Sequence, residues 1–141
     1  MKIAIASDHA GFDLKSIIIK EFESKLQIID LGCDNSETSV DYPDFAQKLA
    51  GEIINKSADF GILVCGSGIG ISIAANRFSQ IRAALCHNSQ IAELSRKHND
   101  ANVLCLGARI VDEKTAIQTV QTFLKTDFEG GRHANRIKKL S

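Results

Sequence analysis

Residues 59–76 constrain this chain more than any other stretch. Residues 59–65 form a short apolar run, rich in β-branched side chains, that stops at a glycine. That pattern predicts a strand buried on both faces of a parallel sheet. Gly66, Gly68 and Gly70 follow within five positions, so backbone N–H groups can turn inward and a ligand can approach closely. Ile69, Ile73 and Ala74 then recur at helical spacing, which predicts a helix starting near Gly68 or Gly70. Its N-terminus presents about half a positive charge to whatever the loop holds. Cys65, at the carboxyl end of the strand, is the one strong nucleophile or base in the loop. A cysteine there is either a small core residue or a catalyst, and the local pattern leaves both open. Two nucleotide loops are excluded. A dinucleotide fingerprint needs glycine at 71, where isoleucine stands, and no Gly-Lys-Ser/Thr follows for a P-loop.

The rest of the chain repeats the same alternation. Strands are predicted at residues 2–7, 27–31, 81–86 and 102–106 in addition to the central one. Leu14, Ile18, Phe22 and Leu26 mark one face of a first helix. Asp41, Tyr42, Pro43 and Asp44 open a second, with Phe45, Leu49 and Ile53 inward, because proline and acids suit a first turn. A helix over 90–97 is expected to bury Ile91 and Leu94. Asp112 caps a further one with Ile117, Val120 and Leu124 inward. Strands alternating with helices predict a five-stranded parallel sheet covered on both faces, with ligands beyond the carboxyl ends of the strands.

Asp8, His9, Cys65, Ser67 and Arg109 all follow strands at that edge. Asp8 is either a helix cap or part of a site. Gly130 and Gly131 break the chain before a basic tail in which Arg132 and Arg136 share a helical face beside His133. The tail reads either as a solvated basic helix or as a pair of guanidinium forks closing on a phosphate.

The 141 residues suit one domain that buries about two-thirds of its unfolded surface. Lys plus Arg and Asp plus Glu each number 17, so net charge points to neither nucleic acid nor membrane as a partner. Cys33, Cys65, Cys86 and Cys105, with His9, His87, His98 and His133, show no paired zinc spacing and no Cys-x-x-Cys. A first strand beginning at Lys2 leaves no room for a signal peptide, so a cytoplasmic protein with reduced thiols is expected.

Taken together, these stretches resemble the ribose-5-phosphate isomerase B family, which includes the related allose- and galactose-6-phosphate isomerases. The resemblance rests on residues 7–12 (Ser7, Asp8, His9, Ala10, Gly11, Phe12), on Asp41, Tyr42 and Pro43, and on the loop from Cys65 to Arg77. It rests also on residues 95–100 and on Glu129, Gly130, Gly131, Arg132 and His133. They occur in the family's order and span nearly the whole chain. The resemblance implies a Rossmann-like three-layer α/β/α sandwich with a C-terminal helical tail. It implies cofactor-free and metal-free interconversion of ribose 5-phosphate and ribulose 5-phosphate, a pentose phosphate pathway step, through an enediolate. Sites between subunits are implied as well, hence a homodimer or a dimer of dimers, with the tail at 130–141 at the interface. Cys65 is present and position 71 is apolar, so the chain resembles the cysteine-type members rather than those with glutamate at that position.

By this resemblance Cys65 moves the proton between C2 and C1, and His98 opens the sugar ring with Ser67 nearby. Asp8, Tyr42 and Asn99 hold hydroxyls, and His9, Arg109, Arg132, His133 and Arg136 contact phosphate. Backbone N–H groups of the loop, around Gly66, Gly68, Ile69 and Gly70, face the developing oxyanion. Three other readings stand beside this one: an isomerase of allose 6-phosphate or another aldose 6-phosphate, a phosphosugar-binding regulator, and a nucleotide- or flavin-binding module.

Overall fold

The computed structural model describes residues 1–140. Its strands are β1 (Lys2–Ser7), β2 (Gln27–Asp30), β3 (Phe60–Cys65), β4 (Ala83–Leu85) and β5 (Val103–Gly107). Its helices are α1 (Phe12–Phe22), α2 (Tyr42–Ile54), α3 (Ile69–Ala75), α4 (Ser89–Asn99), α5 (Glu113–Lys125) and α6 (Arg132–Lys138). The five strands form one parallel sheet in the order β2-β1-β3-β5-β4. The three central strands are the ones whose sequences read as unbroken apolar runs, because both of their faces are covered. The edge strands β2 and β4 are only half-buried, and β4 is shorter than its apolar run predicts.

Alternation along each central strand divides the core in two. Ile3, Ile5, Ile62, Val64, Leu104 and Leu106 face α1, α4 and α5. Ala4, Ala6, Leu63, Cys65, Val103 and Cys105 face α2 and α3. This is the three-layer α/β/α sandwich the sequence predicts, with α6 packed on α4. Among the described residues, no helix is long and apolar enough to cross a membrane.

Two helices turn other faces inward than expected. On α4, Ile91 and Leu94 are exposed, while Ala92, Ser95 and Arg96 are buried. The helix lies close against α5, where small side chains fit and the Arg96 guanidinium fills the remaining space between Phe60 and Phe123. On α3, Ile69 and Ile73 stand 52% and 60% exposed, and Ile71, Ser72 and Ala75 pack inward.

Candidate active site

At the carboxyl edge of the sheet, β3 ends on Cys65 and the chain turns through Gly66, Ser67 and Gly68 into α3. Gly68 has φ +78°, and a Cβ there would lie 2.5 Å from Leu85 Cδ1 and 2.9 Å from the Leu106 carbonyl carbon. Only glycine satisfies both the left-handed backbone and that contact. The turn aims the Gly68 N–H at Cys65 Sγ, 3.1 Å away. Ser67 Oγ accepts a hydrogen bond from the Ile69 N–H at 3.1 Å, so its O–H remains free to donate. Among the described residues, the N–H groups of Ser67 and Gly70 have no acceptor. Two of the four expected oxyanion positions, Gly68 and Ile69, therefore already spend their N–H groups inside the loop.

Other predicted residues gather around this turn. Asp8 is buried, and its Oδ1 accepts from the Gly11 N–H at 3.0 Å. The residue that caps α1 is Gly11, so Asp8 closes the turn before the helix rather than capping it. His9 Nδ1 accepts from the Val40 N–H at 3.2 Å, which assigns a neutral ring's proton to Nε2. The Tyr42 ring lies on the loop, with Cζ only 2.6 Å from where a Cβ on Gly70 would stand. Arg109 is anchored by its N–H to the Gly66 carbonyl at 2.9 Å, and its guanidinium lies beside Gly66. The fully buried Lys15 supports this edge from below. Its amine donates to Asp30 Oδ1 at 2.6 Å and to the Cys33 carbonyl at 3.0 Å. Residues 32 and 33 in turn bond both backbone groups of Ser7, next to Asp8. Two other thiols are silenced by position: burial pushes Cys86 up to about 11 and Cys105 well above its ordinary value.

The remaining predicted residues lie at the opposite edge of the sheet. After β4 reaches the carboxyl edge, α4 must run back down the molecule, so His98 and Asn99 at its end return to the amino edge. Arg82, just before β4, donates from Nε to the Asn99 carbonyl at 3.1 Å, and the Gly61 N–H bonds the Asn102 carbonyl at that same level. Cys65 stands four residues further along β3, a separation of at least about 13 Å. His98 is therefore not near Ser67 within one chain, because strand and returning helix place them at opposite ends. His98 instead stacks on His133, ring centroids 4.5 Å apart and 18° from parallel. Burial, His98, Arg132 and Arg136 hold His133 below the ordinary histidine range. Arg132 and Arg136 are exposed on α6.

A brace that the sequence does not advertise fixes this second cluster. Buried Arg96 donates to Asp100 Oδ1 at 2.8 Å, to the Ala101 carbonyl at 2.6 Å and to the Thr126 carbonyl at 3.2 Å. One side chain thus ties the end of α4 to the segment that leads to α6. Asp100, left-handed with φ 45°, is held by Arg82 from its other side. No periodicity flags Arg96, since its charge masks an inward position.

The model of the ribose/galactose isomerase family matches residues 3–140. The chain belongs to that family. Ribose-5-phosphate isomerase B of Escherichia coli is 44% identical over 141 residues, covering 99% of this chain and 94% of its own. A ribose 5-phosphate isomerase of Thermotoga maritima superposes with TM-score 0.97 at 51% identity, covering 99% of this chain and 96% of its own. The Mycoplasma genitalium ribose-5-phosphate isomerase B, solved with ribulose 5-phosphate bound, matches with TM-score 0.93 at 45% identity. It covers 99% of this chain and 93% of that one. The fold of this chain is the family's fold over nearly its whole length.

Proposed function

We propose that this chain is a cysteine-type ribose-5-phosphate isomerase whose sites are completed by a second copy of itself. The reading is supported most by Cys65, whose sulfur already accepts the Gly68 N–H in a glycine loop with the free Ser67 and Gly70 N–H groups alongside. Aldose–ketose isomerisation removes a proton α to a carbonyl, and so needs a base and preorganised donors for an oxyanion. Cys65, as thiolate, takes the C2 proton of the open-chain aldose. The electrons move to O1, where the loop N–H groups stabilise the enediolate. Ser67 relays the O2 hydroxyl proton to O1 as the thiol returns its proton to C1. Asp8 and Tyr42 orient hydroxyls, and Arg109 and His9 Nε2 face the anionic end.

His98, Asn99, Arg132, His133 and Arg136 belong to the second half-site at the amino edge. In our reading they serve the Cys65 of another copy, with His98 moving the proton that opens the furanose ring and α6 holding the phosphate. Ile69, Ile73 and Tyr42, exposed beside the loop, supply the apolar surface for that contact. The relative solved with ribulose 5-phosphate bound supports ribose 5-phosphate as the substrate. The same half-sites would serve allose 6-phosphate if the space beyond Tyr42 admits one more carbon. The test is kcat/KM on both sugar phosphates in chelator-treated buffer without cofactor, in a cytoplasm-like buffer at neutral pH. Turnover of ribose 5-phosphate, faster than of allose 6-phosphate, is expected. Binding of either sugar phosphate without turnover would replace the enzyme with a phosphosugar sensor.

A further inference from the structure

We propose that His98, Glu129 and His133 form an inhibitory site for a divalent transition metal, of which zinc fits best. One ligand atom from each residue lies within 4.8 Å of the other two, and Glu129 Oε2 stands 3.8 Å from His133 Nε2. Two imidazoles and a carboxylate are a common zinc set, with a fourth position left open to water. Zinc holds such atoms at about 2.0–2.2 Å, so tetrahedral ligands stand about 3.3–3.5 Å apart. The two rings now lie stacked, 18° from parallel, rather than converging on one point. Convergence requires the half-buried His98 ring and the exposed Glu129 carboxylate to turn toward His133.

Two features favour that rearrangement. The Glu129 N–H bonds the Lys97 carbonyl at 3.1 Å, which holds the Glu129 backbone beside the end of α4 where His98 sits. Glu129 and His133 are four residues apart across the turn into α6. The neighbouring Arg132 and Arg136 oppose a cation, which makes the site a weak and reversible one. An ion here occupies the ring that opens the sugar and a ring facing phosphate, so it competes with substrate. Only this inhibitory consequence rests on the proposed isomerase function. The binding itself does not.

The experiment has two arms. Zinc is titrated into the Cys65→Ser protein against a chromogenic chelator, which removes the loop thiol as a rival ligand and reads binding without turnover. One ion per chain is expected, weakened at least tenfold by Glu129→Gln, as loss of a ligand usually does. In the otherwise native enzyme, zinc inhibition should be competitive with ribose 5-phosphate, and Glu129→Gln should raise the inhibition constant by the same factor while leaving metal-free kcat/KM within about twofold. Absence of stoichiometric binding in the first arm, or binding that Glu129→Gln leaves unchanged, overturns the site. If zinc binds as expected but the native protein turns over no sugar phosphate, the metal site stands and the isomerase reading fails.

Discussion

Cys65 differs from Cys86 and Cys105 in what points at its sulfur. All three are buried, but Cys65 receives a backbone N–H from its own loop, whereas burial, chiefly, pushes the other two thiols upward. Replacing Cys65 by alanine should lower kcat by about 10²–10⁴-fold, the usual share of a positioned base, with little change in Tm. Iodoacetamide should modify Cys65 first, as peptide mass mapping would show. Equal labelling of Cys86 would contradict the assignment. His133 makes a second residue-scale prediction. Its pKa is lowered in the fold, so the unfolded chain takes up its proton first as pH falls. The associated stability is complete above pH ~6.5 and declines as pH drops from there through the lower folded value. Denaturant midpoints measured from pH 8 to 5 should show that decline, and His133→Asn should reduce its slope. An unchanged slope in the variant would assign the decline to other groups.

At the scale of elements, the loop between β3 and α3 is the part with least freedom. Gly68→Ala forces a left-handed alanine against Leu85 and the Leu106 backbone. It should cost about 1–3 kcal/mol and displace the N–H that Cys65 uses. Gly51→Ala is the control, since nothing lies within 4 Å of its Cβ position in α2. That change should stabilise by about 0.4–1 kcal/mol. Urea denaturation of both variants, with kcat/KM, separates loop geometry from general glycine effects. Comparable behaviour of the two would deny the loop its special status. The central strands and this loop were legible in the sequence, because double burial leaves continuous apolar runs and a left-handed turn leaves glycine. The inward face of α4 was not. Its sequence offers Ile91 and Leu94, yet the confined space beside α5 selects Ala92, Ser95 and a braced Arg96. Periodicity records which residues are apolar and cannot see how much room a neighbour leaves. The position of His98 was within reach of the sequence, since a helix that follows a parallel strand ends at the amino edge.

Across the whole molecule, the predicted site residues divide into two sets at opposite edges of one sheet. Asp8, His9, Tyr42, Cys65, Ser67 and Arg109 lie at the carboxyl edge. His98, Asn99, Arg132, His133 and Arg136 lie at the amino edge or on α6 beside it. A rigid sheet does not bring them together within one chain, so in the proposed reading the complete site is built from two chains. The most direct test mixes two inactive proteins, Cys65→Ala and the double variant Arg132→Ala/Arg136→Ala, and allows their subunits to exchange. In a hybrid dimer one site carries both defects and the other carries neither. Activity on ribose 5-phosphate should therefore reappear, approaching a quarter of the unmutated rate per site after statistical exchange of equal amounts. No recovery, with hybrid dimers verified by native mass spectrometry, would contradict the shared site and return the basic tail to the base of its own chain.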